Sequence, residues 1–117
     1  MKYFKIEEFD SPDQPGSGDK MSPEFLEMLD KAREIAGVPF IITSGYRTET
    51  HNALVGGVDS SAHTRGFAAD IACRDSKSRY SIVNSLQSAG FNRIGIAGTF
   101  IHVDSDDEKP SELIWTY

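Results

Sequence analysis

Two short segments carry the residues able to do chemistry. Residues 61 to 70 read SAHTRGFAAD and residues 100 to 104 read FIHVD, which puts His63, Asp70 and His102 in a set of three zinc-ligand types. Catalytic zinc sites usually take three protein ligands from His, Asp, Glu and Cys and leave a fourth position for water. A histidine alone reads as an ordinary hydrogen-bonded side chain, and Asp70 alone reads as a turn cap. Together they point to a hydrolytic metal site, because a carboxylate flanked by Ala69 and Ile71 is costly to bury without a partner.

His63 and Asp70 are too far apart in sequence to share a helical turn, so other elements must bring them together. Residues 68 to 73 read as a small-residue strand entered from a glycine-containing loop, with Asp70 on one face and Gly66 letting the chain fold His63 back toward it. Ile94 to Ile96 and Phe100 to Val103 read as hairpin strands around Ala97-Gly98-Thr99. Alternation then gives Phe100, His102 and Asp104 one face, with Ile101 and Val103 on the other. His102 and Asp104 would stand roughly 6 to 7 Å apart at the backbone, close enough for one to bind a metal while the other supports it or contacts the attacking water.

The run from Ser61 to Asp70 resembles the SxHxxGxAxD motif of the LAS-type zinc peptidases. That group contains D-alanyl-D-alanine carboxypeptidases, D-Ala-D-Ala dipeptidases and phage L-alanyl-D-glutamate endopeptidases. Ser44-Gly45-Tyr46-Arg47 resembles the upstream SGYR segment of the same group. His51-Asn52, Val55-Gly56-Gly57 and the closing FIHVD strand are similar to its small carboxypeptidase-like branch, as is the segment from Phe4 to Phe9. The resemblance implies a hedgehog/DD-peptidase fold, zinc held by His63, Asp70 and His102, and hydrolysis of peptide bonds in peptidoglycan stem peptides. It implies that Arg47 binds the substrate carboxylate, for which a planar guanidinium is suited, with Ser61 and His51 as further substrate contacts.

One departure from the group bears on mechanism. Several branches place a general-base glutamate three residues before the last histidine ligand, or a second histidine just ahead of it, whereas here Thr99, Phe100 and Ile101 precede His102. Asp104 becomes the candidate base, with His51 in reserve; the other reading of Asp104 is a carboxylate that holds the free ring nitrogen of a ligand histidine. The departure also supports an alternative function, a non-catalytic zinc domain that binds cell wall or protein. Cys73, the one cysteine, falls on the strand face opposite Asp70 and reads as a small core residue rather than a nucleophile.

The 117 residues suit one domain spanning residues 1–117, with 38% hydrophobic residues to build its core. A net charge of −6 argues against binding nucleic acid or an anionic membrane surface through bulk charge. Residues 106 to 108 read as a solvated acidic loop. No apolar run suggests an export signal or membrane span. The expectation is therefore a monomer made in the cytoplasm, reaching the wall through phage lysis or acting on wall fragments inside the cell.

The scaffold reads as α+β, a small antiparallel sheet with helices packed on one side. Ser22 caps a helix beginning at Pro23, with Phe25, Leu29, Ala32 and Ala36 on one face and Gly37 at its end. Pro39 to Thr43 reads as a short strand leading to Arg47, Thr48 to Val55 as a brief helix, and Asp75 to Ala89 as a longer one with Ile82, Val83 and Leu86 inward. Tyr46, Phe100 and Trp115 read as core residues or as the rim of a cleft.

Overall fold

A computed structural model describes residues 1–117. Helix α1 (Pro23–Ala36) begins where the sequence signals it: the Ser22 hydroxyl accepts the Phe25 N–H and Pro23 occupies the first turn. Gly37 closes the helix at φ 68°, a left-handed conformation that glycine adopts without penalty. Thr48 caps α2 (Glu49–Leu54), and Asp75 caps α3 (Ser76–Ser88) by accepting the Ser78 N–H. No helix is long and apolar enough to cross a membrane.

Five strands form one sheet in the order β1-β2-β4-β3-β5, comprising β1 (Ile42–Ser44), β2 (Ala68–Ala72), β3 (Arg93–Ile96), β4 (Phe100–Asp104) and β5 (Leu113–Thr116). The β1–β2, β2–β4 and β4–β3 pairs are antiparallel, as expected. The last strand adds a parallel pairing, β5 on β3, because the segment between Asp104 and Leu113 carries the chain past the start of β3 to its free edge. The first strand is shorter than its sequence pattern suggests. Pairing starts at Ile42, and Ile41 is 64% exposed beside Pro39, which has no N–H to contribute.

Strand alternation divides the sheet into two faces with different purposes. Ala69, Ile71, Ile94, Ile101 and Val103 point into the core, where Phe25 and Leu29 of α1 and Ile82 and Leu86 of α3 cover them. Cys73 lies among these buried residues, away from Asp70. The opposite face carries Asp70, His102 and Asp104, so the helical layer backs the functional face without covering it.

Candidate metal centre

The sheet register builds half of the site by itself. Ser44, Asp70, His102, Gly95 and Trp115 lie opposite one another across β1, β2, β4, β3 and β5 in a single row. Side chains in such a row share a face and sit within reach of their neighbours. Gly95 leaves a gap in which the Trp115 indole lies across β3: a Cβ there would come within 2.6 Å of Trp115 Nε1. The indole thus reaches the His102 ring, with centroids 5.6 Å apart.

His63 arrives from a 3₁₀ turn, Ala62–Arg65, that Ser61 caps by accepting the His63 N–H at 3.2 Å. Gly66 ends the turn at φ 80°, where a Cβ would lie 2.3 Å from the Lys20 carbonyl. The loop is pinned from both sides: Ser22 N donates to Gly66 O, and Arg47 N donates to His63 O.

His63 Nε2 lies 3.4 Å and His102 Nδ1 3.0 Å from Asp70 Oδ1, and the three ligand atoms fall within 4.8 Å of one another. The outer nitrogen of each ring is held from behind. His63 Nδ1 donates to the Gly45 carbonyl at 2.8 Å, and His102 Nε2 meets Asp104 Oδ2 at 2.6 Å. These anchors leave one Nε2 and one Nδ1 facing the Asp70 oxygen, the two nitrogens that would offer lone pairs to a bound cation. Two imidazole nitrogens and a carboxylate oxygen converging in this way suit a borderline cation such as zinc.

The site is buried and its charges are mutually supported. Burial pushes the Asp70 carboxyl upward, but hydrogen bonds and charge from His102 and His63 outweigh this and hold it well below the usual carboxylate range. Burial also works against charge on His102, yet Asp104 and Asp70 raise its pKa above the ordinary value. Asp104 is lowered despite its burial, by His102 first and then by Arg93.

The structure sorts the remaining sequence candidates. Arg47 stands at the site: its Nη2 donates to Asp70 Oδ2 at 3.3 Å, its Nη1 to Asn52 Oδ1 and its Nε to Ser44 Oγ. Ser61 lines the cleft while its hydroxyl caps the His63 turn. His51 is not among the cleft residues; its neighbour Asn52, buried on α2, is the one that connects to the site through Arg47. Asp104 lies behind the His102 ring, on the side opposite Asp70, and accepts from His102, Arg93 Nε and the Asp106 N–H. That position matches the second reading of Asp104, a carboxylate that holds the outer nitrogen of a ligand-type histidine. A 2% exposed carboxylate engaged by three donors is suited to holding the histidine.

One further expectation changes, and one open alternative is resolved. Asp106 is 2% exposed rather than solvated, because Arg65 and Lys109 pair with it. Tyr46 packs on the core, whereas Phe100 and Trp115 line the cleft. Arg93 is a cleft residue that the sequence pattern did not single out; the observed β3–β4 register sets it opposite Asp104.

These groups form the floor of a cleft of about 350 Å³, lined further by Val55, Val58, Lys109 and Tyr117. An α+β domain that gathers two histidines and an aspartate in an open cleft has the makings of a metal-dependent hydrolase. Residues 2–104 match the family model for Peptidase M15, and the chain belongs to that peptidase family. The match covers all three ligand-type residues and agrees with the resemblance read from the SxHxxGxAxD motif. No curated protein matches the chain.

Proposed function

We propose that the protein is a zinc peptidase that hydrolyses a peptide bond in peptidoglycan stem peptides. The observation that carries this reading is the convergence of His63 Nε2, Asp70 Oδ1 and His102 Nδ1, with the outer nitrogen of each histidine anchored. Zinc bound there would supply Lewis acidity, polarising the scissile carbonyl and bringing the pKa of the attacking water toward neutrality.

The side chains around the triad have distinct tasks. Asp104 keeps the His102 proton on Nε2 and so leaves Nδ1 free to coordinate. Arg47 holds the second oxygen of Asp70 with one of its five N–H donors and gives two more to Ser44 and Asn52. Its two remaining donors are available to a substrate carboxylate, in keeping with the role implied by the SGYR resemblance. Ser61 sets the height of His63 through the turn that it caps. Val55, Val58, Phe100, Trp115 and Tyr117 give the cleft the apolar walls that would grip the aliphatic parts of a short peptide.

One observation favours a second reading, a zinc-containing module that binds stem peptides without cutting them. Asp70 and Asp104 are the two carboxylates among the cleft-lining residues, and both are engaged. Incubation of the zinc-loaded protein with defined muropeptides, followed by mass measurement of the products, separates the two. Release of an amino acid or peptide that His63→Ala abolishes supports the peptidase; tight muropeptide binding with no product supports the module.

A further inference from the structure

We propose that Arg93 is a positioning residue of the metal centre, acting on His102 through Asp104. The proposal rests on the reading of His63, Asp70 and His102 as metal ligands. Arg93 lies at the start of β3, and its side chain is only 10% exposed. Its Nε donates to Asp104 Oδ1 at 2.6 Å, and Asp104 Oδ2 meets His102 Nε2 at the same distance. One carboxylate therefore bridges a guanidinium and a ligand imidazole, Oδ1 accepting from Arg93 and the Asp106 N–H and Oδ2 from His102.

The guanidinium is fixed in its turn. Its Nη1 donates to the Pro110 carbonyl, and its Cζ lies 5.0 Å from the centroid of the Trp115 ring. Trp115 packs on His102 from the other direction. Arg93, Asp104, His102 and Trp115 thus form a closed ring of contacts across β3, β4 and β5. Turning the imidazole would disturb each member of that ring.

Both charges in this arrangement are buried, and a buried arginine or aspartate without its partner is strongly unfavourable. Arg93 therefore holds Asp104 in place against Nε2, and with it the orientation that leaves Nδ1 turned toward the metal site. A merely structural Arg93 would tie the segment before β5 to the sheet through Pro110 and leave metal affinity alone. The two roles differ in what a metal ion senses.

The test compares zinc affinity, measured by competition with a chromophoric chelator, and the visible spectrum of the cobalt-loaded protein. The full-length wild type is set beside Arg93→Gln, Arg93→Lys, Asp104→Asn and the Arg93→Gln/Asp104→Asn double variant. Melting in chelator checks that each variant folds. Removing such an outer partner typically weakens metal binding about 10- to 100-fold, so Arg93→Gln is expected to fall in that range with altered cobalt bands. Arg93→Lys, which keeps the charge and is the milder change should Arg93→Gln not fold, is expected to recover part of the loss. In the double variant the loss should not exceed that of Asp104→Asn alone, because Arg93 acts through Asp104. Arginine variants with wild-type affinity and spectrum, or a double variant whose losses simply multiply, would overturn the proposal while leaving the metal site standing. A wild-type protein that binds neither ion would overturn the metal reading itself.

Discussion

Gly95→Ala places a single methyl group in the middle of the functional face, and the structure says what it meets. The new Cβ would stand 2.6 Å from Trp115 Nε1 and 2.7 Å from Cε2. Ordinary contact begins near 3.4 Å, so the indole must withdraw by 3.4 − 2.6, or 0.8 Å. Overpacking of this kind costs about 1–3 kcal/mol, and a displaced indole also gives up part of a cation–π contact with Arg93 worth about 0.5–2 kcal/mol. Alanine restrains the unfolded chain more than glycine does, a gain of about 0.5–1 kcal/mol. The clash wins, and a net loss of about 1–2 kcal/mol should lower the melting temperature by roughly 4–8 °C. Trp115 is the one tryptophan of the chain, so its emission reports the displacement directly. The assay is a thermal melt with emission spectra of both proteins in chelator. Equal melting temperatures with superimposable spectra would show that the indole does not rest on Gly95, and the reasoning about the row across the sheet would fail with it.

Other perturbations have equally definite outcomes. Zinc at about 100 times its dissociation constant should stabilise the native state by about 2.7 kcal/mol, raising the melting temperature by some 10 °C, with chelator reversing the shift; His63→Ala should remove the response. The Asp106 carboxyl is held low, against its burial, chiefly by Arg65. It therefore contributes stability above its ordinary value of 3.8 that is lost as pH falls through the lowered folded value; Asp106→Asn should flatten that acid limb in urea titrations at pH 2 to 5. Asn52 is buried, accepts from Arg47 Nη1 and donates to the Val58 carbonyl at 2.8 Å. Asn52→Ala should cost about 1–3 kcal/mol and make residues 55 to 58 more sensitive to proteolysis, whereas His51→Ala, one residue away on the outer side, should change stability by less than about 0.5 kcal/mol.

Legibility in the sequence followed the strength of the local signal. The cap at Ser22, the helix starts near Thr48 and Asp75 and the apolar stripe of α1 were readable because they depend on residues within one turn of each other. The grouping of His63, Asp70 and His102 was readable because ligand-type residues are few and the motif around His63 is specific. The hairpin register was harder. A connection of Ala97, Gly98 and Thr99 sets Ile96 opposite Phe100, but Ala97 N donates to Phe100 O and Ile96 pairs with Ile101. That slip of one residue brings Arg93 opposite Asp104, and slips of one reverse the faces of a strand. Arg93 was invisible for this reason, and Asp104 kept its ambiguity between base and support. Strand β5 escaped because Leu113 to Thr116 has no alternation of its own and is defined by the edge it joins.

The residues that hold the His63 turn in shape include some that never approach Asp70 or His102. Tyr46 donates its N–H to the Phe9 carbonyl, Ser22 reaches Gly66, and Gly66 is pressed so closely on Lys20 that no side chain fits between them. The opening twenty-two residues therefore act as a mould against which the ligand-bearing turn is cast. A shortened protein starting at α1 would keep His63, Asp70 and His102 in its sequence and still lack the surface that gives His63 its place.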